Sequence, residues 1–148
     1  MSAAAGDPAR ALLLLDTHVL LWSASNGPRL GRHAGKAIEH ASREGRLAVS
    51  AITPWEIALL ESKRRITLQK DVLEWVREAL AKPGVNLIPL EPEIAVGSVR
   101  LPLEMHPDPA DRILVATARH LGATLVTADK GLLDAAKKGY FAAMDATK

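Results

Sequence analysis

Cysteine is absent from the 148-residue chain, which excludes disulfides, thiolate zinc sites, iron-sulfur ligation and a cysteine nucleophile together. A reducing, cytoplasmic setting is the expectation that follows. Aromatic residues are nearly as scarce. One Phe, one Tyr and three Trp leave little from which to build the base-stacking platform of a single-strand-binding fold. A strong excess of one charge is missing as well, because 19 basic residues against 17 acidic give a net charge of +2, too small to steer a polyanion by net field. Any nucleic-acid site must then be local. Long hydrophobic runs are also lacking: the longest near the N-terminus, Ala11 to Leu15, is shorter than a signal-peptide core and far short of the ~20 residues of a membrane span. The chain reads as soluble and unprocessed, with no membrane partner.

What is present suits one domain of ordinary composition. The length matches a prior of roughly 150 residues per domain, and with 48% hydrophobic and 24% charged residues such a chain buries enough surface to fold without a staple. Met1 to Arg10 is Ala, Gly, Pro and Ser without period and reads as a disordered lead-in to a single domain over 11–148.

Within that domain, Leu12 to Leu15 is a short apolar run ending in Asp16, as expected of a central parallel strand buried on both faces. Similar segments recur at Leu47 to Val49, Leu87 to Leu90 and Thr124 to Val126, and more weakly at Tyr140 to Met144. Between them lie helical patterns at Leu30 to Arg43, Pro54 to Lys63, Asp71 to Lys82, Glu93 to Leu101 and Pro109 to Leu121. The alternation predicts an α/β domain with a mainly parallel sheet between helical layers. Ligands of such folds gather outside the carboxyl ends of the strands, near a topological switch point.

Four carboxylates are predicted at that edge. Asp16 closes the first strand; Glu56 follows Thr53 and Pro54 as in a capping box; Asp111 follows the cap Asp108 and Pro109; Asp129 precedes a further short helix. Taken singly, each reads equally well as a cap or a dipole partner. Together they converge, and two carboxylates 4 Å apart repel by roughly 4 kcal/mol at an effective dielectric of 20. A divalent cation offsets that repulsion. Oxygen ligands suit Mg²⁺ or Mn²⁺, while the lack of Cys and the scatter of the five His speak against structural zinc.

Other groups carry a functional and a plain reading side by side. His18 is a candidate ligand or base, but reads better as a partly buried, hydrogen-bonded histidine. Thr127 either holds a carboxylate or satisfies a strand end. Arg112, Lys130 and the Lys63-Arg64-Arg65 run are candidate phosphate contacts or solvated charges. Trp22, Trp55 and Trp75 read as core.

Four segments in order, Leu15 to Trp22, Trp55 to Ala58, His106 to Ala116 with its Asp108-Pro109-Ala110-Asp111-Arg112, and Leu125 to Asp129, resemble the PIN-domain ribonucleases, specifically the VapC-like toxins of type II toxin-antitoxin pairs. The resemblance implies a three-layer α/β/α fold and an acidic pocket that binds Mg²⁺ or Mn²⁺ and hydrolyses RNA. Carried over by position, its acids are Asp16, Glu56, Asp111 and Asp129, supported by Asp108 and Thr127. It further implies a homodimer silenced by a small antitoxin. The chain departs from the family pattern at Leu59-Leu60, where Lys is often found, at Ala110 in place of Phe, and at Arg64 in place of Gly; all three leave the acids intact.

The chemistry expected of such a pocket is metal-assisted hydrolysis, with water as the attacker. Two other classes are separable from it. A receiver-type phosphoacceptor needs an acidic pair at the first strand's end, and a catalytically silent scaffold would bind a partner without cleaving RNA.

Overall fold

The computed structural model describes residues 10–25, 27–102 and 108–148. Residues 1–9 of the predicted lead-in lie outside the described residues, as do His106 and Pro107 of the third segment.

The chain runs β1 (Leu13–Leu15), α1 (Thr17–Ser25), α2 (Arg32–Arg43), β2 (Leu47–Ser50), α3 (Ile52–Ser62), α4 (Val72–Ala81), β3 (Val85–Ile88), α5 (Pro92–Val99), α6 (Pro109–Leu121), β4 (Thr124–Thr127), α7 (Lys130–Lys137) and β5 (Ala142–Asp145). The five strands form one parallel sheet in the order β3-β2-β1-β4-β5. β1 is central, which explains why three consecutive leucines are buried there.

Alternation along the strands divides the core in two. Leu13, Leu15, Leu47, Val49 and Val126 face one cluster, with Val19 and Leu20 of α1, Ile38 of α2, Ile57 of α3 and Val76 of α4. Leu14, Ala48 and Leu125 face the other, with Leu114 and Val115 of α6 and Leu132 of α7. The architecture is the three-layer α/β/α sandwich that the sequence predicts. No helix among the described residues is long and apolar enough to cross a membrane.

Of the boundaries that differ from expectation, two have a clear local setting. α3 starts at Ile52 rather than Pro54, because Ser50 at the end of β2 accepts from the Ile52 N–H at 3.1 Å and launches the helix directly out of the strand. β3 starts at Val85 rather than Leu87, so Leu87 lies inside an edge strand, half exposed, and Leu90 beyond it. Gly84 precedes that strand with φ +84°, in a passage so close to α2 that a Cβ there would lie 2.0 Å from the Ser42 carbonyl oxygen.

α3 ends in a Schellman turn: Arg64 N–H donates to Glu61 O at 3.0 Å and Arg65 N–H to Leu60 O at 2.9 Å. Arg64 occupies the left-handed position with φ +58°, where a side chain is strained and glycine is not. Arg64→Gly, the residue of the family pattern, is therefore expected to stabilise the fold by about 0.5–1 kcal/mol. Urea unfolding checks this, and a lower midpoint in the variant would contradict it.

Candidate active site

The chain leaves β1 for β2 and β3 on one side and later returns to β4 and β5 on the other. The carboxyl ends of β1 and β4 thus frame the switch point where such sheets bind ligands. Asp16 stands there directly after β1. Its N–H donates to Val126 O at 3.0 Å and its carbonyl accepts from Leu20 N–H at 3.0 Å, tying the residue to β4 and to α1.

Asp16, Asp108, Asp129 and Glu56 are each held by a nearby donor. Asp16 Oδ1 accepts from Thr17 N–H at 2.7 Å, and Oδ2 accepts from the Thr127 hydroxyl at 2.6 Å. That hydroxyl, fully buried, also accepts from Asp129 N–H at 3.1 Å. One side chain therefore couples the ends of both strands. Asp129 caps α7 through Leu132 N–H at 3.0 Å. Asp108 caps α6 through Ala110 N–H at 2.8 Å and Asp111 N–H at 3.1 Å, so it fixes the turn that carries Asp111. Glu56 accepts from the buried Thr17 hydroxyl at 2.6 Å.

The charges of these acids act on one another. Burial pushes the Asp16 carboxyl above its usual range; the hydrogen bonds from Thr127 and Thr17 and the imidazole of His18 pull it back, and Asp129 raises it. Glu56 is raised chiefly by burial, against the Thr17 hydroxyl, and further by Asp16 and Asp108. Asp111 is pushed up to about 8 by burial and then by Asp16, Asp108, Glu56 and Asp129. All four predicted acids thus meet electrostatically. Among the described residues, the group that brings three ligand atoms within 4.8 Å of one another lies elsewhere, at the exposed Glu91, Glu93 and His120. The site carboxylates form a looser cluster of coupled charge.

The Asp111 shift has a consequence for stability. Between pH 4 and 8 the folded carboxyl keeps a proton that the unfolded one releases near its ordinary value of 3.8, so stability falls as pH rises through that window and levels off above it. Melting temperatures in a chelating buffer from pH 5 to 9 should show this fall, and Asp111→Asn should flatten it. A parent-minus-variant difference that does not change with pH would contradict the prediction.

Several predicted roles need correction. Thr53 is not a cap: α3 begins before it, Glu56 is the fifth residue of that helix, and the buried Thr53 hydroxyl has no hydrogen-bond partner among the described residues. Arg112, a candidate phosphate contact, is engaged by backbone carbonyls. Its guanidinium donates to Ser98 O at 3.0 Å and Leu101 O at 3.1 Å, spent on the carbonyls at the end of α5. His18 is exposed rather than partly buried, with its ring 6.3 Å from that of Trp22. Trp55 is 56% exposed, not core, whereas Trp22 and Trp75 pack against the core edge. Lys130 is exposed at the start of α7, and Lys63, Arg64 and Arg65 are exposed after α3. Sequence reasoning missed Thr17, whose hydroxyl orients Glu56. Asp16 has Thr17 beside it rather than a second acid, which removes the pair a phosphoacceptor requires.

Comparison with known proteins agrees with this geometry. The family model described as PIN domain matches residues 13–138. Ribonuclease VapC22 of Mycobacterium tuberculosis (strain ATCC 25618 / H37Rv) is 42% identical over 120 residues, covering 81% of this chain and 88% of that protein. Among solved structures, a toxin-antitoxin complex from Klebsiella pneumoniae aligns with a TM-score of 0.55 at 27% identity, over 81% of this chain and 89% of that one. DNA-bound VapBC from Salmonella typhimurium aligns with a TM-score of 0.66 at 16% identity, over 91% and 98% of the two chains.

Proposed function

Because the chain belongs to the PIN domain family, we propose that it is a divalent-metal-dependent endoribonuclease and the toxin of a toxin-antitoxin pair. The observation that carries this reading is the electrostatic convergence of Asp16, Glu56, Asp111 and Asp129 at the β1–β4 switch point. A ribonuclease relative and a toxin-antitoxin structural neighbour support it.

The donor set suits a hard cation. It consists of carboxylates around a buried threonine hydroxyl, and Asp111 is so opposed by its neighbours that it holds a proton near neutral pH until positive charge arrives. Asp16, Glu56, Asp111 and Asp129 would hold Mg²⁺ or Mn²⁺, which supplies Lewis-acid polarisation of the phosphate and a more acidic water. The chain's own residues set the geometry. Thr127 fixes Asp16 and Asp129 relative to each other, Thr17 fixes Glu56, and Asp108 fixes the first turn of α6. Such supporting contacts orient ligands and typically matter 10–100-fold. Lys130, exposed at the start of α7, would meet a substrate phosphate.

An antitoxin partner is supported by the complexes among the structural neighbours. The homodimer is supported by apolar side chains left in solvent, Trp55 on α3 at 56% exposure and Val99 after Val96 on α5 at 78%. RNA as substrate places the action in the cytoplasm.

Incubation of the protein with single-stranded RNA, with and without Mg²⁺ or Mn²⁺, tests the reading. Cleavage should require the cation and leave a 5′ phosphate and a 3′ hydroxyl, since water rather than the ribose 2′ hydroxyl attacks. Cyclic phosphate ends, or full activity in excess chelator, would overturn it.

A further inference from the structure

A groove of about 710 Å³ lies between α1, the connection from α3 to α4, and α4 itself, and His18 links it to the acidic centre. Its mouth is set by the chain. His18, one of its lining residues, lies two positions after Asp16, and its charge acts on that carboxyl. One turn further along α1, Trp22 lines the groove at 50° to the His18 ring, and Trp75 of α4 lines it too. Two of the chain's three tryptophans thus flank one cleft.

The charge there is one-sided. Arg29, Arg65, Lys70 and Lys82 line the groove against a single acid, Glu78, which Lys70 already engages. That local excess is larger than the net charge of +2 on the whole chain, so the balancing acids lie elsewhere. Arg65 and Lys70 belong to the segment that the Schellman turn at Arg64 sends across the groove.

We infer that this groove grips the single-stranded RNA flanking the scissile phosphate, an inference that rests on the ribonuclease reading above. A carboxylate centre repels a polyanion, so the strand must be held by cations near the acids but not among them. Phosphates meet the arginines and lysines that line the groove. An acidic polypeptide is the competing occupant, and the test decides between them.

The test compares the parent with Arg29→Gln/Arg65→Gln, two exposed positions outside the acidic pocket, and with Arg43→Gln/Arg77→Gln, which removes the same charge away from the groove. The readouts are KM for a long single-stranded RNA in Mg²⁺, the salt dependence of RNA affinity, and cation-induced thermal stabilisation. In the groove variant, KM should rise about tenfold and the slope of log affinity against log salt should fall by about 1.4, the value for two lost phosphate contacts on a single strand. Its cation-induced stabilisation should match the parent, and the control should stay within about twofold of the parent KM. Equal KM and salt slope in groove variant and parent would overturn the groove assignment while leaving the ribonuclease reading intact. RNA affinity retained with affinity for poly-glutamate lost would overturn it in favour of an acidic protein partner. A parent that cleaves no RNA with either cation overturns the ribonuclease reading, and the groove assignment with it.

Discussion

Asp111→Asn should cut cation-dependent RNA cleavage by at least about a hundredfold, the upper range for losing even a supporting contact at a metal site. The same change should raise the melting temperature of cation-free protein at pH 8. Both effects come from one charge. Ionised Asp111 is opposed by burial and by four neighbouring acids, which hold its carboxyl at about 8, and Asn keeps the shape while removing that conflict. Glu56→Gln follows the same logic, since Gln Oε1 still accepts from the Thr17 hydroxyl. Asp129→Asn isolates the cap. Asn caps a helix about as well as Asp, so the Leu132 N–H stays satisfied while the charge is lost. Paired melting curves with and without Mg²⁺, beside a cleavage assay, read all three variants. Proteins that melt several degrees lower without cation, yet cut RNA at parental rates, would reduce these acids to structural caps.

Gly84→Ala is expected to have the largest effect on stability. An alanine at φ +84° is strained by about 1–2 kcal/mol, and its Cβ would sit 2.0 Å from the Ser42 carbonyl oxygen. Relieving that overlap moves backbone rather than a flexible side chain, at a further cost of about 1–3 kcal/mol. Gly84 O also accepts from Leu47 N–H at 3.1 Å, so the shift reaches β2. A fall in melting temperature of roughly 10 °C is expected for a domain of this size. A fall under about 2 °C would show that the β3 approach to α2 yields freely.

The sheet was legible because its strands are apolar on both faces and short, as central parallel strands must be; Leu13 to Leu15 shows it best. α6 was legible to its first residue, since Asp108 caps it and Pro109 starts it as the preferences of those residues require. α3 was not. Thr53 and Pro54 imitate a helix start, but the residue that launches the helix is Ser50, still inside β2. The four acids were legible as a set because topology brings them to one edge. What supports them was only half visible: Thr127 sits at a strand end where a hydroxyl is noticeable, whereas Thr17 looks like any threonine in a first helical turn. Arg112 misled for a related reason. The carbonyls within and just beyond α5 that occupy it come from 11 to 14 residues away, and no local pattern records them.

The hydrogen bond from Thr127 to Asp16 spans 111 positions of sequence. Synthesis on the ribosome proceeds at about 5–20 residues per second, so roughly 6–20 s separate the appearance of the two residues. During that interval β1 lacks β4, its neighbour on one side, and Asp16 lacks the hydroxyl that holds it. Asp111 emerges late as well, and the cap Asp129 later still. A growing chain therefore carries no assembled hydrolytic centre until Asp129 has been made. The order of the strands acts as a timer, withholding the nuclease until β4 has been made.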